Sequence, residues 1–118
     1  SLGDKEYKKR FIVKMGDKIT IIPVDDIAYC YSEDKSTYAV SRGGNRRLLD
    51  YSLDTVQEML DPKLFFRISR SCIISMKAIK SIIKQPGGRL KITHTPDSDQ
   101  DMTVSRSRVD DFLRWLER

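Results

Sequence analysis

Between Pro62 and Pro96 the chain carries no acidic residue, yet Lys63, Arg67, Arg70, Lys77, Lys80, Lys84, Arg89 and Lys91 all fall there. The carboxylates stand elsewhere, in Asp25/Asp26, Glu33/Asp34, Glu58/Asp61, the Asp97/Asp99/Asp101 run and Asp110/Asp111. Cations segregated in this way suit a surface that meets a polyanion, since each one that neutralises a phosphate releases a condensed counterion. A solubilising surface whose charges pair across strands would show the same bias. Particular side chains must therefore carry the chemistry. An arginine fork can bond O6 and N7 of guanine together, and Arg70, Arg106 and Arg108 are candidates for that contact. Ser105 and Ser107, beside backbone N–H groups at the start of a helix, suit phosphate oxygens. Arg67 adjoins Phe65 and Phe66, which would also allow it a packed structural role.

Other chemistries lack their partners. His94 is the chain's only histidine, it sits in a strand end beside Thr93 and Thr95, and no oriented nucleophile accompanies it. Asp97, Asp99 and Asp101 imitate the opening of a calcium loop, but the places that need Gly and a bidentate Glu hold Met102 and Arg108. No Gly-rich phosphate loop with Lys and Ser/Thr occurs, nor any paired-Cys zinc spacing. Cys30 and Cys72 stand far apart in apolar segments, as buried small hydrophobes do in a reducing compartment. The expectation is a chain that is not an enzyme and holds no metal or cofactor.

The elements that would position these residues are mostly short strands. Arg10 to Met15 and Lys18 to Ile22 are rich in β-branched residues and meet across Gly16 and Asp17, a hairpin signal. Strands are expected over Ile27 to Tyr31, Thr37 to Ser41 and Arg46 to Tyr51, with turns at Glu33 to Ser36 and Gly43/Gly44. Ser52 caps a short helix in which Leu53, Val56, Met59 and Leu60 recur at helical spacing until Asp61 and Pro62 end it. Leu64 to Ile74 follows neither period and is expected to be rich in turns, with at most one helical turn. Ala78 to Lys84 and Arg89 to Thr93 flank the Pro-Gly-Gly turn, and Met102 to Val104 adds a strand. Ser105 caps a last helix with a stripe of Val109, Phe112, Leu113 and Leu116. The fold class is mainly β, in antiparallel hairpins and sheets with two short peripheral helices. No long helix is available to lie in a major groove, so any reading of DNA falls to loops and strand ends.

At 118 residues, 39% hydrophobic and 33% charged, with a net charge of +5, the composition is that of one soluble globular domain with a core of its own. Residues 1–9 are expected to be an N-terminal tail or cloning remnant and 10–118 the domain. No basic stretch followed by an apolar segment opens the chain and no apolar run is long enough to cross a bilayer, which points to the cytoplasm.

Asp26-Ile27-Ala28-Tyr29, the helix ending near Leu60, the run Phe65-Phe66-Arg67-Ile68-Ser69-Arg70-Ser71-Cys72-Ile73-Ile74 and the late Val104-Ser105-Arg106 occur in an order that resembles the LytTR family of DNA-binding domains. The likeness extends from about Arg10 to Leu116. Two positions depart from it: the family commonly has His where Ser69 stands and Asn where Ser75 stands. The resemblance implies a β fold that inserts loops into successive major grooves of double-stranded DNA. It also implies the output domain of a bacterial response regulator, behind a receiver domain missing from this chain, that binds paired promoter sites, with a homodimer on DNA one form of that binding. Carried over by position, it implicates Lys35, Ser36 and Thr37 in a first turn, Arg67, Ser69, Arg70 and Ser71 in a second, and Arg106, Ser107 and Arg108 in a third.

Two readings of other classes fit parts of the sequence. A protein-interaction module could present its basic face to an acidic partner. A single-stranded RNA binder would need exposed aromatics, and Tyr29, Tyr31 and Tyr38 are the candidates. The strand alternation puts Tyr29 and Tyr31 on one face, as packing residues.

Overall fold

Phe11 and Val13 alternate with Ile12 and Lys14, so a hairpin built from these segments buries one face only. In the computed structural model, which describes residues 5–118, β1 (Arg10–Met15) and β2 (Lys18–Pro23) pair with Phe11 opposite Ile22 and Val13 opposite Thr20. Gly16 takes the positive φ of their turn, +59°, and Asp17 does not share it. The outer part of the expected tail, residues 1–4, lies outside the described residues. Lys8 donates its backbone N–H to Met59 at 2.8 Å, and the Lys9 carbonyl accepts from Val24 at 2.9 Å.

The centre is a five-stranded antiparallel sheet of β3 (Ile27–Glu33), β4 (Ser36–Ser41), β5 (Arg46–Leu49), β6 (Phe65–Ser69) and β7 (Cys72–Ser75), in the order β5-β4-β3-β7-β6. A three-stranded sheet, β10-β9-β8, follows from β8 (Ile79–Lys84), β9 (Leu90–His94) and β10 (Thr103–Val104). Two helices complete the chain, α1 (Leu53–Met59) and α2 (Val109–Leu116). Ser52 caps α1 as expected, its hydroxyl accepting from the Thr55 N–H at 3.1 Å.

From Tyr29 on, past an irregularity at Ala28, successive residues of β3 point to opposite faces, and both faces are covered. Cys30 lies in one core with Phe11, Ile22, Leu53, Val56 and Ile73. Tyr29 and Tyr31 lie in the other, with Ile92, Val104, Phe112 and Trp115. The order of layers is thus the β1–β2 hairpin with α1, the five-stranded sheet, then the three-stranded sheet with α2. Each fully buried Ile, Phe or Val contributes roughly 1.5–3 kcal/mol over its exposed state. The two-core arrangement confirms the mainly β class with peripheral helices.

Two stretches differ from the expectation. Leu64 to Ile74 forms the hairpin of β6 and β7. Its alternation was hidden for two reasons: a bulge at Ile68 shifts the register between Arg67 and Ser69, and β7, between β3 and β6, is buried along its whole length. A strand covered on both faces reads as a continuous apolar run. The last helix begins at Val109 rather than beside Ser105, after a single 3-10 turn over Arg106–Arg108. Its buried residues are Phe112 and Trp115, while Leu113, placed in the stripe by spacing, is exposed. Among the described residues no helix is long and apolar enough to cross a membrane.

Candidate nucleic-acid interface

Strands β3 and β4 close on each other through Asp34 and Lys35, with Glu33 opposite Ser36. A two-residue turn of this twist needs positive φ at both central positions, normally supplied by Gly or Asn. Here Asp34 and Lys35 adopt φ of 51° and 66°, so an exposed lysine occupies a strained position at the tip. Behind it Ser36 is half-buried and Thr37 is buried, 4% exposed.

The turn between β6 and β7 holds Arg70 and Ser71, both exposed, and the half-buried Ser69 accepts the Ser71 N–H on its hydroxyl at 3.3 Å. Arg67, two residues into β6, turns its guanidinium back toward α1 and the turn instead of outward. It reaches Asp54 Oδ1 at 2.6 Å, Gln57 Oε1 at 3.0 Å, the Ser69 carbonyl at 3.1 Å and the Arg70 carbonyl.

The third segment joins β10 to α2. Ser105 donates its N–H to the Ile68 carbonyl at 3.0 Å and accepts the Arg108 N–H on its own carbonyl at 2.8 Å. Its hydroxyl takes a bond from Arg108 Nη1 at 3.1 Å rather than from a helix N–H. Arg106 and Ser107 are exposed, and Arg108 is half-buried. The Arg106 guanidinium runs beside Gly88 of the β8–β9 turn, where a Cβ would come 3.8 Å from Nε.

Backbone bonds bring these three turns beside one another. Ser32, at the end of β3, donates to the Ser71 carbonyl at 3.0 Å, and Ser105 donates to Ile68, at the end of β6. Lys35, Arg70 and Arg106 therefore leave neighbouring strand ends, and among the described residues none of them is in an ion pair. Cations left open in this way remain available to an anion, whereas Arg67 and Arg114 are engaged by Asp54 and Asp111.

Sequence reasoning passed over Arg46. Its guanidinium lies 4.4 Å from the Tyr38 ring centre and donates to the Tyr31 hydroxyl at 3.1 Å. Tyr38 stacks on Tyr31 at 5.3 Å, and Tyr31 lies 6.0 Å from Tyr29. The basic pair Arg46-Arg47 follows Gly43/Gly44 in the sequence, but nothing there tells which of the two faces the tyrosines. This row also bears on the RNA reading: Tyr29 and Tyr31 are buried on one face, and Arg46 covers Tyr38.

The remaining groups are structural in their surroundings. His94 stands edge-on to Tyr29 at 5.6 Å, with Nε2 2.9 Å from the Ser98 hydroxyl, and burial lowers its pKa. Asp101 accepts from the N–H of Thr103 at 3.1 Å and from its hydroxyl at 2.6 Å. No cluster of three His, Cys, Asp or Glu suited to a metal occurs among the described residues.

A family profile described as the LytTr DNA-binding domain matches residues 17–117 of this chain. An uncharacterized response regulatory protein of Vibrio cholerae is 30% identical over 88 residues, which are 72% of this chain and 34% of that protein. The chain thus spans about a third of the length of that curated relative. A solved LytTr DNA-binding domain from Bacillus cereus, of a protein described as a methyl-accepting/DNA response regulator, superposes with a TM-score of 0.81 at 23% identity. The superposition covers 94% of this chain and 99% of the other, and it bears on the fold.

Proposed function

Because the chain belongs to the LytTR DNA-binding domain family, we propose that it recognises one duplex DNA sequence with the Lys35, Arg70 and Arg106 turns, inserted into successive major grooves. DNA is the partner of this family, and it is not a class of enzymes. The reading rests on one observation above the rest: three turns tied by backbone hydrogen bonds to adjoining strand ends carry cations that no described carboxylate pairs. A loop that carries an arginine can make a bidentate bond to guanine, contributing about 1–3 kcal/mol of discrimination.

Within this reading Arg70 and Arg106 are the base-edge candidates, and Lys35, Ser36, Ser71 and Ser107 the backbone contacts. Ser69 and Arg108 back them from half-buried places, and Thr37 sits beneath the first turn. The DNA-binding unit is assigned to residues 10–118, with 1–9 as a tail whose last two residues bond to Met59 and Val24. We assign the chain to a cytoplasmic response regulator whose receiver domain lies outside it, acting on paired promoter sites with two copies on the DNA.

Selection of bound sequences from random duplexes at fixed salt, followed by titration of the winner, tests the proposal. Affinity should fall steeply with salt, each neutralised phosphate adding about 0.9 to the log–log slope. Arg70→Ala should weaken the selected site more than random DNA, and Lys84→Ala should weaken both alike. An unchanged sequence preference in Arg70→Ala would remove that residue from the base-reading set.

A further inference from the structure

Arg67 has the sequence position of a DNA contact and the surroundings of a brace. A guanidinium owns five N–H donors. In this chain four hydrogen bonds engage them: Nη1 to Asp54 and to Gln57 on α1, Nε to the Ser69 carbonyl and Nη2 to the Arg70 carbonyl. Its side chain is 14% exposed. A fork onto guanine needs two parallel donors on one edge, and only one N–H remains. To touch a base, Arg67 would have to give up its hold on the turn.

The two backbone acceptors explain why a brace is needed. Strand β6 is the edge of the five-stranded sheet, and the bulge at Ile68 interrupts its pairing with β7 just before the turn. Carbonyls in a turn, or on the outer side of an edge, have no strand beyond them to donate a second bond. Ser105 N–H takes the Ile68 carbonyl, and Arg67 takes the carbonyls of Ser69 and Arg70. The Arg70 peptide is therefore held from behind by a side chain anchored on a helix, while the Arg70 side chain is exposed.

We propose that Arg67 is a positioning residue: its guanidinium clamps the Ser69–Ser71 turn to α1 and so fixes the direction in which Arg70 meets DNA, without contacting DNA itself. The proposal rests on the DNA-binding reading above for its consequence, but the clamp exists in the free chain. Asp54 and Gln57 belong to it, although both lie on α1 and neither is among the three turns. A lysine at position 67 would keep the charge and lose the fork, since an ammonium cannot bridge two carbonyls and two side chains with fixed geometry.

Two measurements on the whole chain test this. In the free protein, backbone amide exchange at Arg70 and Ser71 should speed up in Arg67→Lys and, to a smaller degree, in Asp54→Ala. Exchange elsewhere and the thermal midpoint of Asp54→Ala should stay near those of the parent. In DNA titrations on the selected site, Arg67→Lys and Asp54→Ala should lose specific affinity, by roughly tenfold for the former, the scale of one misplaced bidentate contact. Affinity for random DNA and the salt slope should be unchanged. A drop of about 0.9 in the slope of Arg67→Ala, with equal losses on both DNAs, would instead make Arg67 a phosphate ligand and overturn the proposal. Unchanged exchange at Ser71 in Asp54→Ala together with Arg67→Lys would overturn it as well. If the parent chain selects no DNA, the DNA-binding reading fails while the exchange experiment still decides the clamp.

Discussion

Ser32 donates its backbone N–H to the carbonyl of Ser71 at 3.0 Å, one step beyond the last registered pair of β3 and β7, Tyr31 and Cys72. This bond carries the ladder out to the turns, so the tip holding Lys35 and the tip holding Arg70 are set by one run of backbone pairing. Tips that are to act together need a fixed separation, and ladder bonds hold it more firmly than side-chain contacts would.

Lys35 sits at φ 66°, where an L-residue with a Cβ costs about 1–2 kcal/mol and glycine does not. Lys35→Gly should therefore stabilise the chain, by up to about 1 kcal/mol once the greater entropy of unfolded glycine is deducted. If the lysine is kept there for DNA, the same variant should bind the selected site more weakly, with a salt slope smaller by about 0.9. Thermal melting and a salt titration on one preparation give both numbers. A variant that melts lower and binds as before would contradict the account of this turn.

Trp115 donates its indole N–H to the Pro62 carbonyl at 2.8 Å, packs against Phe66 and Phe112 and is 3% exposed. It joins α2 to the segment entering β6, on which the second turn is built. Trp115→Phe removes the bond and part of the volume, and should cost about 1–3 kcal/mol of stability. The urea midpoint should fall at unchanged slope. A midpoint equal to the parent's would mean that the indole bond adds nothing.

Much of this fold was legible where one face of a strand is wet. Phe11 and Val13 against Ile12 and Lys14 give the period of two, and Gly16 marks the turn, so the first hairpin followed directly. Strand β7 was not legible, because a strand buried on both sides has no alternation to show, and the bulge at Ile68 broke the pattern of β6. The stripe on α2 included Leu113 and missed Trp115 because spacing alone does not say where a short helix meets the sheet. Arg70 and Arg106 were singled out by type and by family resemblance and Lys35 by the resemblance alone, whereas Arg67, from the same motif, turns its guanidinium toward α1 and the turn. Partners such as Asp54, thirteen residues earlier, can be recognised only once the chain is folded. Arg46 shows the same limit, since its ring partner Tyr38 is identified by the pairing of β4 with β5.

Both cysteines should be silent in the folded chain. Cys30 is 0% and Cys72 3% exposed, and burial pushes both thiols up, Cys72 to about 12. The attacking species is the thiolate, so a disulfide reagent at pH 8 should titrate neither thiol in the native protein and both in denaturant. Rapid reaction of the native chain would show that the sheet opens locally at β3 or β7.

His94 supplies a pH dependence with a definite sign. Burial against Tyr29 lowers its pKa below 6.5, opposed by the Ile92 backbone and the Asp97 carboxylate. The folded chain therefore binds its proton less readily than the unfolded chain. As pH falls below about 6.5, the unfolded state takes up the proton first, and stability is lost progressively until the folded imidazole also titrates. Above that window the neutral ring leaves stability independent of pH. As the chain has no second histidine, urea midpoints between pH 7.5 and 5 should decline because of this residue, and His94→Gln should flatten the profile. A parent profile that rose toward pH 5 would mean that Asp97 outweighs burial, with the imidazolium as the form the fold prefers.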